Sequence, residues 1–333
     1  MKSSLYIPLL FLLFTTCKSQ PANTTYAPII TKAQKVSLYS DAIDWEAVNT
    51  KYVELTEGKT STEDLKPGLQ YLINALEDKH ATIRSAFDQS IIVSYSGELS
   101  GEDNRKANFI NNVMNDVSAK FSYQLLGDSV GYLNIVGIGP GDVKAQADFI
   151  RHGLVELKAK GVDRWIVDLR FNGGGNIEPM LSGLAPLVGE GFIGGAINRT
   201  GDIREYTIEN DQFTNWGRLT CEMEEMPSVS ADEKVVVLLS RYTISSGELV
   251  AVAFKSRDNT LFIGEETAGY TTGNGYEPVG EELVLVISQD VFIDRNKNRY
   301  DGKVGVDEKS EFRHGVKMMD DNQVARAVEW LGQ

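Results

Sequence analysis

Two short segments combine residue types that could support nucleophilic catalysis. The first, residues 168–176 (DLRFNGGGN), runs from an apolar stretch into three glycines and a possible helix start. Glycine lets the backbone approach a ligand closely, and amide N–H groups at a helix N-terminus favour negative charge. The segment is therefore a tight strand-to-helix turn or an oxyanion or anion site. A phosphate site is disfavoured, because neither GxGxxG nor GK[ST] is present.

The second segment, residues 241–248 (RYTISSGE), places Ser245 and Ser246 directly after another apolar stretch. A serine at this point either caps the following helix or acts as a nucleophile at the carboxyl end of a strand. In the second case, the amide groups of the next turn would stand behind the nucleophile. The spacing alone leaves both roles open.

The scarcity of histidine and cysteine limits the chemistry further. The 333 residues contain only His80, His152 and His314, with no short spacing between them, and only Cys17 and Cys221. An all-thiolate zinc site needs four cysteines, so we expect no metal and no cofactor. The net charge of −14 and the lack of a long basic run disfavour nucleic acid as a partner.

Hydrophobic periodicity indicates which elements position these segments. Apolar stripes predict helices within 42–80 and over 104–118, and strands alternate with helices from about residue 121. The predicted strands are 130–136, 164–170, 234–240, 260–266 and 282–288, and the later helices are 142–161, 176–189, 246–256 and 320–331. Strands that are apolar throughout and separated by helices predict a largely parallel sheet covered on both faces. Residues 191–232 interrupt this pattern and suggest an inserted hairpin and loop.

The N-terminus is typical of an exported protein. Lys2 precedes an apolar stretch over 5–14 that is shorter than the roughly 20 residues of a membrane-spanning helix, which indicates a signal peptide over 1–16. The following cysteine resembles the lipidated residue of a bacterial lipoprotein box. We therefore expect a lipoprotein of the cell envelope, facing the periplasm or cell surface, held in the membrane through Cys17 and a tether over 17–40. Plain secretion and an uncleaved anchor are the alternatives.

In combination, the motifs resemble the C-terminal processing (tail-specific) serine peptidase family. DLRFNGGGN is followed by TISSGE about 75 residues later and then by GEETAGYTTG at 264–273. The resemblance covers about residues 120–333 and the helices before them. It implies that Ser245 is the nucleophile and that the amides of Ser246 and of Gly174, or an adjacent glycine, form the oxyanion hole. The matching glycine motif consists of Asp168, Arg170, Asn172, Gly173 and Gly175.

One departure from the family pattern concerns the base. Tyr270 stands where the processing peptidases have the lysine of a Ser–Lys dyad, and tyrosine, with a pKa near 10, is a poor base at neutral pH. Residues 76–82 (LEDKHAT) instead resemble the branch with the tricorn core protease and the retinoid-binding-protein-like modules. That resemblance implies His80 as the base and, by a looser match, Asp301 as the residue that orients it. His314 is an alternative base.

The expected fold is an α/β crotonase-like core over 120–333, preceded by a small helical domain over 41–119. Residues 82–121 leave too little chain for the PDZ-like domain of tail-specific enzymes. The expected function is hydrolysis of peptide bonds in polypeptides of the cell envelope. The alternative is a non-catalytic binding module on the same fold. Oligomeric state and substrate sequence stay open.

A further segment, residues 294–301 (DRNKNRYD), has oxygen-bearing side chains at alternate positions, as in a calcium loop. An EF-hand would have glycine at the sixth position and glutamate at the twelfth, which are Arg299 and Gly305 here. The segment is therefore either a calcium site or, as the departures favour, a turn rich in Asn and Asp.

Overall fold

The computed structural model describes residues 28–97, 121–224, 229–311 and 321–333, which form a mixed α/β structure with two sheets. No helix within these ranges is both long and apolar enough to span a membrane. The signal peptide, Cys17, the predicted helix over 104–118 and His314 lie outside the described residues and stay predictions.

The helices and strands have the following bounds. The helices are α1 (Pro28–Val36), α2 (Trp45–Thr56), α3 (Thr62–Ala75), α4 (Val143–Ala159), α5 (Ile177–Val188), α6 (Ser246–Phe254) and α7 (Asn322–Leu331). The strands are β1 (Thr82–Ser85), β2 (Ile91–Ser94), β3 (Ser122–Leu126), β4 (Val130–Asn134), β5 (Arg164–Asp168), β6 (Gly191–Asn198), β7 (Ile203–Glu209), β8 (Gln212–Asn215), β9 (Arg218–Leu219), β10 (Lys234–Leu239), β11 (Thr260–Gly264), β12 (Thr272–Val279), β13 (Leu283–Asp294), β14 (Arg299–Tyr300) and β15 (Glu308–Lys309).

The N-terminal helices form because their first turns are capped and their apolar stripes find a partner. The Asp44 carboxylate accepts the Ala47 N–H at the start of α2, and Ser61 accepts the Asp64 N–H at the start of α3. Both helices pack with α1 and strands β1 and β13 in one apolar cluster. The region is not purely helical as expected, since β1 and β2 join the sheet of β13.

The tether predicted over 17–40 is wrong for its second half, which begins with a packed helix, and residues 17–27 lie outside the described residues. Residues 28–36 form α1, and Ile29, Ile30 and Ala33 of this helix are buried in the N-terminal cluster. The sequence of α1 is short and mixed, with lysines between the apolar residues, so its polarity resembles that of a linker. Only the packing against β12 and β13 distinguishes it from one.

The first sheet has the order β15-β11-β10-β5-β4-β3 and is parallel except for the β3–β4 pair. Helices α4, α5 and α6 share one apolar cluster with its strands, and α7 belongs to a second cluster. Strands β5 and β10 are neighbours in register, with Asp168 opposite Leu238. The segments that follow these two strands therefore leave the sheet at the same edge, side by side.

A second, largely antiparallel sheet corrects the prediction of a single parallel one. Its order is β2-β1-β13-β6-β7-β8-β9, with β12 and β14 also paired to β13. The strand predicted at 282–288 is the start of β13, which is antiparallel to its partners. Because β13 is buried on both faces, its sequence is as apolar as that of a parallel strand. The insertion over 191–232 supplies β6 to β9.

A buried ionic network fixes the carboxyl end of β5. Arg170 donates to both carboxylate oxygens of Asp168 and, through Nη1, to Asp321 and Gln323. Asp168 also accepts the Tyr132 hydroxyl at 2.6 Å. Since Asp321 caps α7, one guanidinium joins the strand that precedes the glycine loop to the last helix. Asp168 and Arg170 of the glycine motif therefore stabilise the fold by holding β5 to α7.

We expect Arg170→Gln to lower the free energy of unfolding by about 3–5 kcal/mol, because it leaves two buried carboxylates without their counter-charge. Urea denaturation followed by circular dichroism measures the change. The control is Arg199→Gln, which removes a largely exposed pair with Asp41 and should cost less than about 1 kcal/mol. Equal losses in the two variants would contradict this role of Arg170.

Candidate active site

The two segments singled out in the sequence meet where β5 and β10 end. The Ile244 N–H donates to the Asn172 backbone carbonyl at 2.9 Å. The Gly174 backbone lies against Ser245, so closely that a Cβ added to Gly174 would come within 3.0 Å of the Ser245 Cβ. Gly174 also has a φ of +94°, which favours glycine. The glycine loop and the serine turn therefore form one site.

Ser245 occupies a strained turn directly before α6. Its φ of 53° and ψ of −117° are uncommon for a residue with a side chain. Such strain persists only where the surroundings impose it, and it concentrates at functional sites. The turn leads from a buried strand into a helix N-terminus, a geometry that presents a serine hydroxyl beside helix amide groups.

Amide groups that could hold an oxyanion surround this serine. In the described part of the chain, the Ser246 N–H has no acceptor, and the Ser246 hydroxyl donates to the Gly175 carbonyl at 2.7 Å. The Gly174 N–H expected at this position instead donates to Asn172 Oδ1 at 3.0 Å. The neighbouring amides of Gly173 and Gly175 make no hydrogen bond within the described ranges, so an adjacent glycine is the available donor.

His80 lies in the short loop between α3 and β1 and is held at two points. Its backbone N–H donates to Asp78 Oδ1 at 3.0 Å, which fixes the loop. Its ring nitrogen Nδ1 is 2.7 Å from the Thr272 hydroxyl at the start of β12. The imidazole therefore bridges the N-terminal region and the second sheet.

The hydrogen bonds beyond Thr272 determine which ring nitrogen carries the proton. The Ser288 hydroxyl donates to Asp78 Oδ1 at 3.0 Å, which uses its only proton. Ser288 then accepts from Thr272 at 2.9 Å, and Thr272 accepts from His80 Nδ1. This direction assigns the proton to Nδ1 and leaves the lone pair on Nε2.

Burial keeps the imidazole neutral near pH 7. Desolvation lowers the pKa of His80 below its ordinary value of 6.5, although the negative charge of Asp78 opposes this shift. A neutral imidazole with a free Nε2 can accept a proton. In the described structure, Nε2 has no hydrogen-bond partner and is not bonded to the Ser245 hydroxyl. Catalytic hydrogen bonds of this kind often form only when substrate is bound.

The buried carboxylate of Glu248 connects the nucleophile turn to the segment that carries Thr272. Glu248 Oε2 accepts the backbone N–H of Ser245 at 2.9 Å and that of Tyr270 at 2.7 Å. Oε1 accepts the Gly269 N–H and the Thr267 hydroxyl. Burial raises the pKa of Glu248 to about 7, while these hydrogen bonds favour the ionised form.

The structure does not join Asp301 to His80. Asp301 is exposed, and its hydrogen bond is to Arg299 at 3.3 Å. The group that orients the imidazole is the Asp78–Ser288–Thr272 chain. His152 lies exposed on α4, 3.4 Å from Glu156, as expected of a surface residue.

The segment resembling a calcium loop is a turn between β13 and β14. The Asp294 carboxylate accepts the backbone N–H groups of Asn296 and Asn298 and the hydroxyls of Ser256 and Tyr300. These donors occupy the carboxylate, which favours the turn over the calcium interpretation.

Sequence reasoning missed four contributors to this site: Asp78, Glu248, Thr272 and Ser288. The Asp-x-His spacing and the glutamate three residues after Ser245 were visible signals for the first two. Thr272 and Ser288 had no signal, because an isolated hydroxyl in a strand is ordinary.

Comparison with known proteins gives a matching family model and several similar peptidases and related proteins. The model of peptidase family S41 matches residues 129–311. A nisin-resistance protein of Lactococcus lactis subsp. lactis is 25% identical over 314 residues, which are 93% of this chain and 87% of that protein. A carboxyl-terminal-processing protease of Synechocystis sp. is 26% identical over 156 residues, 47% of this chain and 32% of that protein.

Among solved structures, a lipoprotein from Streptococcus agalactiae is similar in fold, with a TM-score of 0.69 and 19% identity over 98% of this chain and 99% of that one. The photosystem II D1 C-terminal processing protease has a TM-score of 0.57 and 12% identity over 86% and 92% of the two chains. Because the family model matches more than half of the residues, the chain belongs to peptidase family S41.

Proposed function

We propose that this protein is a serine peptidase with Ser245 as nucleophile and His80 as base. The observation that carries the proposal is the convergence of Ser245, in its strained turn, with the glycine loop and unoccupied amide groups. Family membership supports the reaction class. The parallel sheet with helices on both faces supports the crotonase-like core expected over 120–333.

In the proposed mechanism, Ser245 Oγ attacks the substrate carbonyl carbon, and its proton passes to His80 Nε2. The oxyanion is held by the Ser246 N–H and a glycine amide of the 173–175 loop, a type of donor worth about 3 kcal/mol. The C–N bond then breaks, and Nε2 returns the proton to the leaving amine. Water hydrolyses the acyl-enzyme by the same route, so the base is regenerated.

The setting we propose is the cell envelope, with Cys17 lipidated and a polypeptide as substrate. The signal sequence at the N-terminus supports export. A relative named for nisin resistance and a structural neighbour solved as a lipoprotein are consistent with this location.

The second candidate function is peptide binding without hydrolysis, which is favoured by one observation: Ser245 and His80 are not hydrogen-bonded to each other. A fluorophosphonate probe separates the two functions, because it labels only a serine that is activated as a nucleophile. Labelling at Ser245 supports the peptidase, and a folded protein that is never labelled supports the binding module.

We expect Ser245→Ala to lower kcat for peptide hydrolysis by at least about 10⁴-fold, because no other group forms the acyl-enzyme. The control is Ser246→Ala, which keeps the backbone N–H of residue 246, so its kcat should fall far less than that of Ser245→Ala. Hydrolysis of a peptide mixture followed by mass spectrometry measures the rates, and thermal unfolding verifies the fold. Full hydrolysis by a folded Ser245→Ala protein would rule out the assignment.

The hydrogen-bond chain predicts a pH signature. Only neutral His80 is active, so activity should fall as the pH drops through the pKa of His80, which burial places below 6.5. Asp78→Asn removes the charge that raises this pKa, so the acid limb of the pH–activity profile should move to lower pH.

Thr272→Val should lower kcat by about 10²- to 10⁴-fold, the usual contribution of a general base, because Nδ1 loses its acceptor.

The matched control for Thr272→Val is Thr207→Val, which removes a threonine pair between β7 and β8. This variant should retain the activity and the pH profile of the unaltered protein. An unchanged acid limb in Asp78→Asn would show that Asp78 does not act on His80.

A further inference from the structure

Tyr270 occupies the position at which the resemblance places a lysine base, and its ring contacts the proposed base instead. The ring centroids of Tyr270 and His80 are 4.8 Å apart, and the planes are inclined by 63°. This is the edge-to-face arrangement that aromatic rings prefer. The phenol is a poor base at neutral pH, so the contact itself is the feature to explain.

The backbone of Tyr270 is fixed relative to the nucleophile. Its N–H and that of Ser245 donate to the same oxygen, Glu248 Oε2. Ala268, two residues before Tyr270, also contacts the segment that carries Ser245, since its N–H donates to the Thr243 carbonyl at 3.1 Å. The position of the Tyr270 ring is therefore tied to that of Ser245.

The same segment holds the imidazole from two directions. The Thr272 hydroxyl accepts a hydrogen bond from Nδ1, and Tyr270, two residues earlier, packs against the ring. A single hydrogen bond leaves an imidazole free to swing about that bond, whereas a second contact against the ring restricts its plane. The two contacts together define where Nε2 can lie.

We propose that Tyr270 is a positioning residue for His80: its ring fixes the plane of the imidazole and excludes water, so that Nε2 can be presented to Ser245. The expected change in kcat rests on the proposed peptidase function, whereas the expected change in the titration of His80 does not depend on it. At the position where the processing peptidases have a lysine base, this chain thus has an aromatic ring, and His80 accepts the proton of Ser245 instead.

The kinetic test compares Tyr270→Phe with Tyr270→Leu. The phenylalanine variant keeps the ring and should stay within about threefold of the unaltered kcat. The leucine variant should lose about 10- to 100-fold in kcat with little change in KM, because positioning of this kind acts on the chemical step. Its acid limb should move up towards pH 6.5, because water reaching His80 removes the desolvation that lowers its pKa.

The matched control is Tyr276→Leu, which removes an exposed tyrosine from β12 and should change neither kcat nor the acid limb. Thermal unfolding verifies each fold, and Tyr270→Met replaces the leucine variant if that protein is unstable. Equal rates and equal acid limbs in the phenylalanine and leucine variants would overturn the proposal.

A second measurement is independent of hydrolysis. The ring resonances of His80 are assigned in the NMR spectrum by their loss in His80→Gln and titrated in the folded protein. Tyr270→Leu should remove the ring-current shift that Tyr270 imposes on the His80 resonances, and it should raise the pH midpoint of the His80 titration. Tyr270→Phe should leave the ring-current shift and the midpoint as they are in the unaltered protein. An unaltered His80 titration in Tyr270→Leu would overturn the proposal. The expected titration in a protein that hydrolyses nothing would support the positioning role and reject the peptidase.

Discussion

The site depends on one buried carboxylate. Glu248 accepts the backbone N–H of Ser245 and of Tyr270 on a single oxygen, and the Gly269 N–H and Thr267 hydroxyl on the other. Removing a carboxylate from water is costly unless hydrogen bonds replace the lost hydration. Here the donors come from two separate segments, so the buried carboxylate has hydrogen-bond partners only when the turn at Ser245 and the loop before β12 are together. These hydrogen bonds therefore hold the two segments of the site in place.

The two sheets contribute different parts of the site. The parallel sheet positions Ser245 beside the glycine loop, because β5 and β10 are neighbours and the segments that follow them leave the sheet at one edge. The antiparallel sheet holds the His80 ring, through Thr272 on β12 and Ser288 on β13. His80 itself enters from the N-terminal region, whose helices pack on β13. Ser245 and His80 therefore belong to parts of the fold that are far apart in the chain, and their mutual geometry depends on how the sheets pack.

Some parts of the candidate site and of the fold could be predicted from the sequence, and others could not. Ser245 and the glycine loop were recognisable because each directly follows an apolar strand and forms a contiguous motif. The orienting residue was not recognisable: the structure does not join Asp301 to His80, whereas Asp78, two residues before the histidine, reaches its ring through two hydroxyls. Similarly, β13 was expected in a parallel sheet, since burial on both faces removes the alternation that reveals an antiparallel strand.

The sequence by itself determined the family, and it singled out Ser245, the glycine loop and His80 as candidate site residues, because each is carried by local residue types at fixed spacing. Only the tertiary structure decided the tautomer of His80, the commitment of the Gly174 amide to Asn172, and the contact between Tyr270 and the imidazole. The Gly174 hydrogen bond is local, but the other two properties depend on the direction of hydrogen bonds and on ring planes between residues about 200 positions apart in the chain. No periodicity along the chain encodes such long-range geometry, which arises when the two sheets pack against each other.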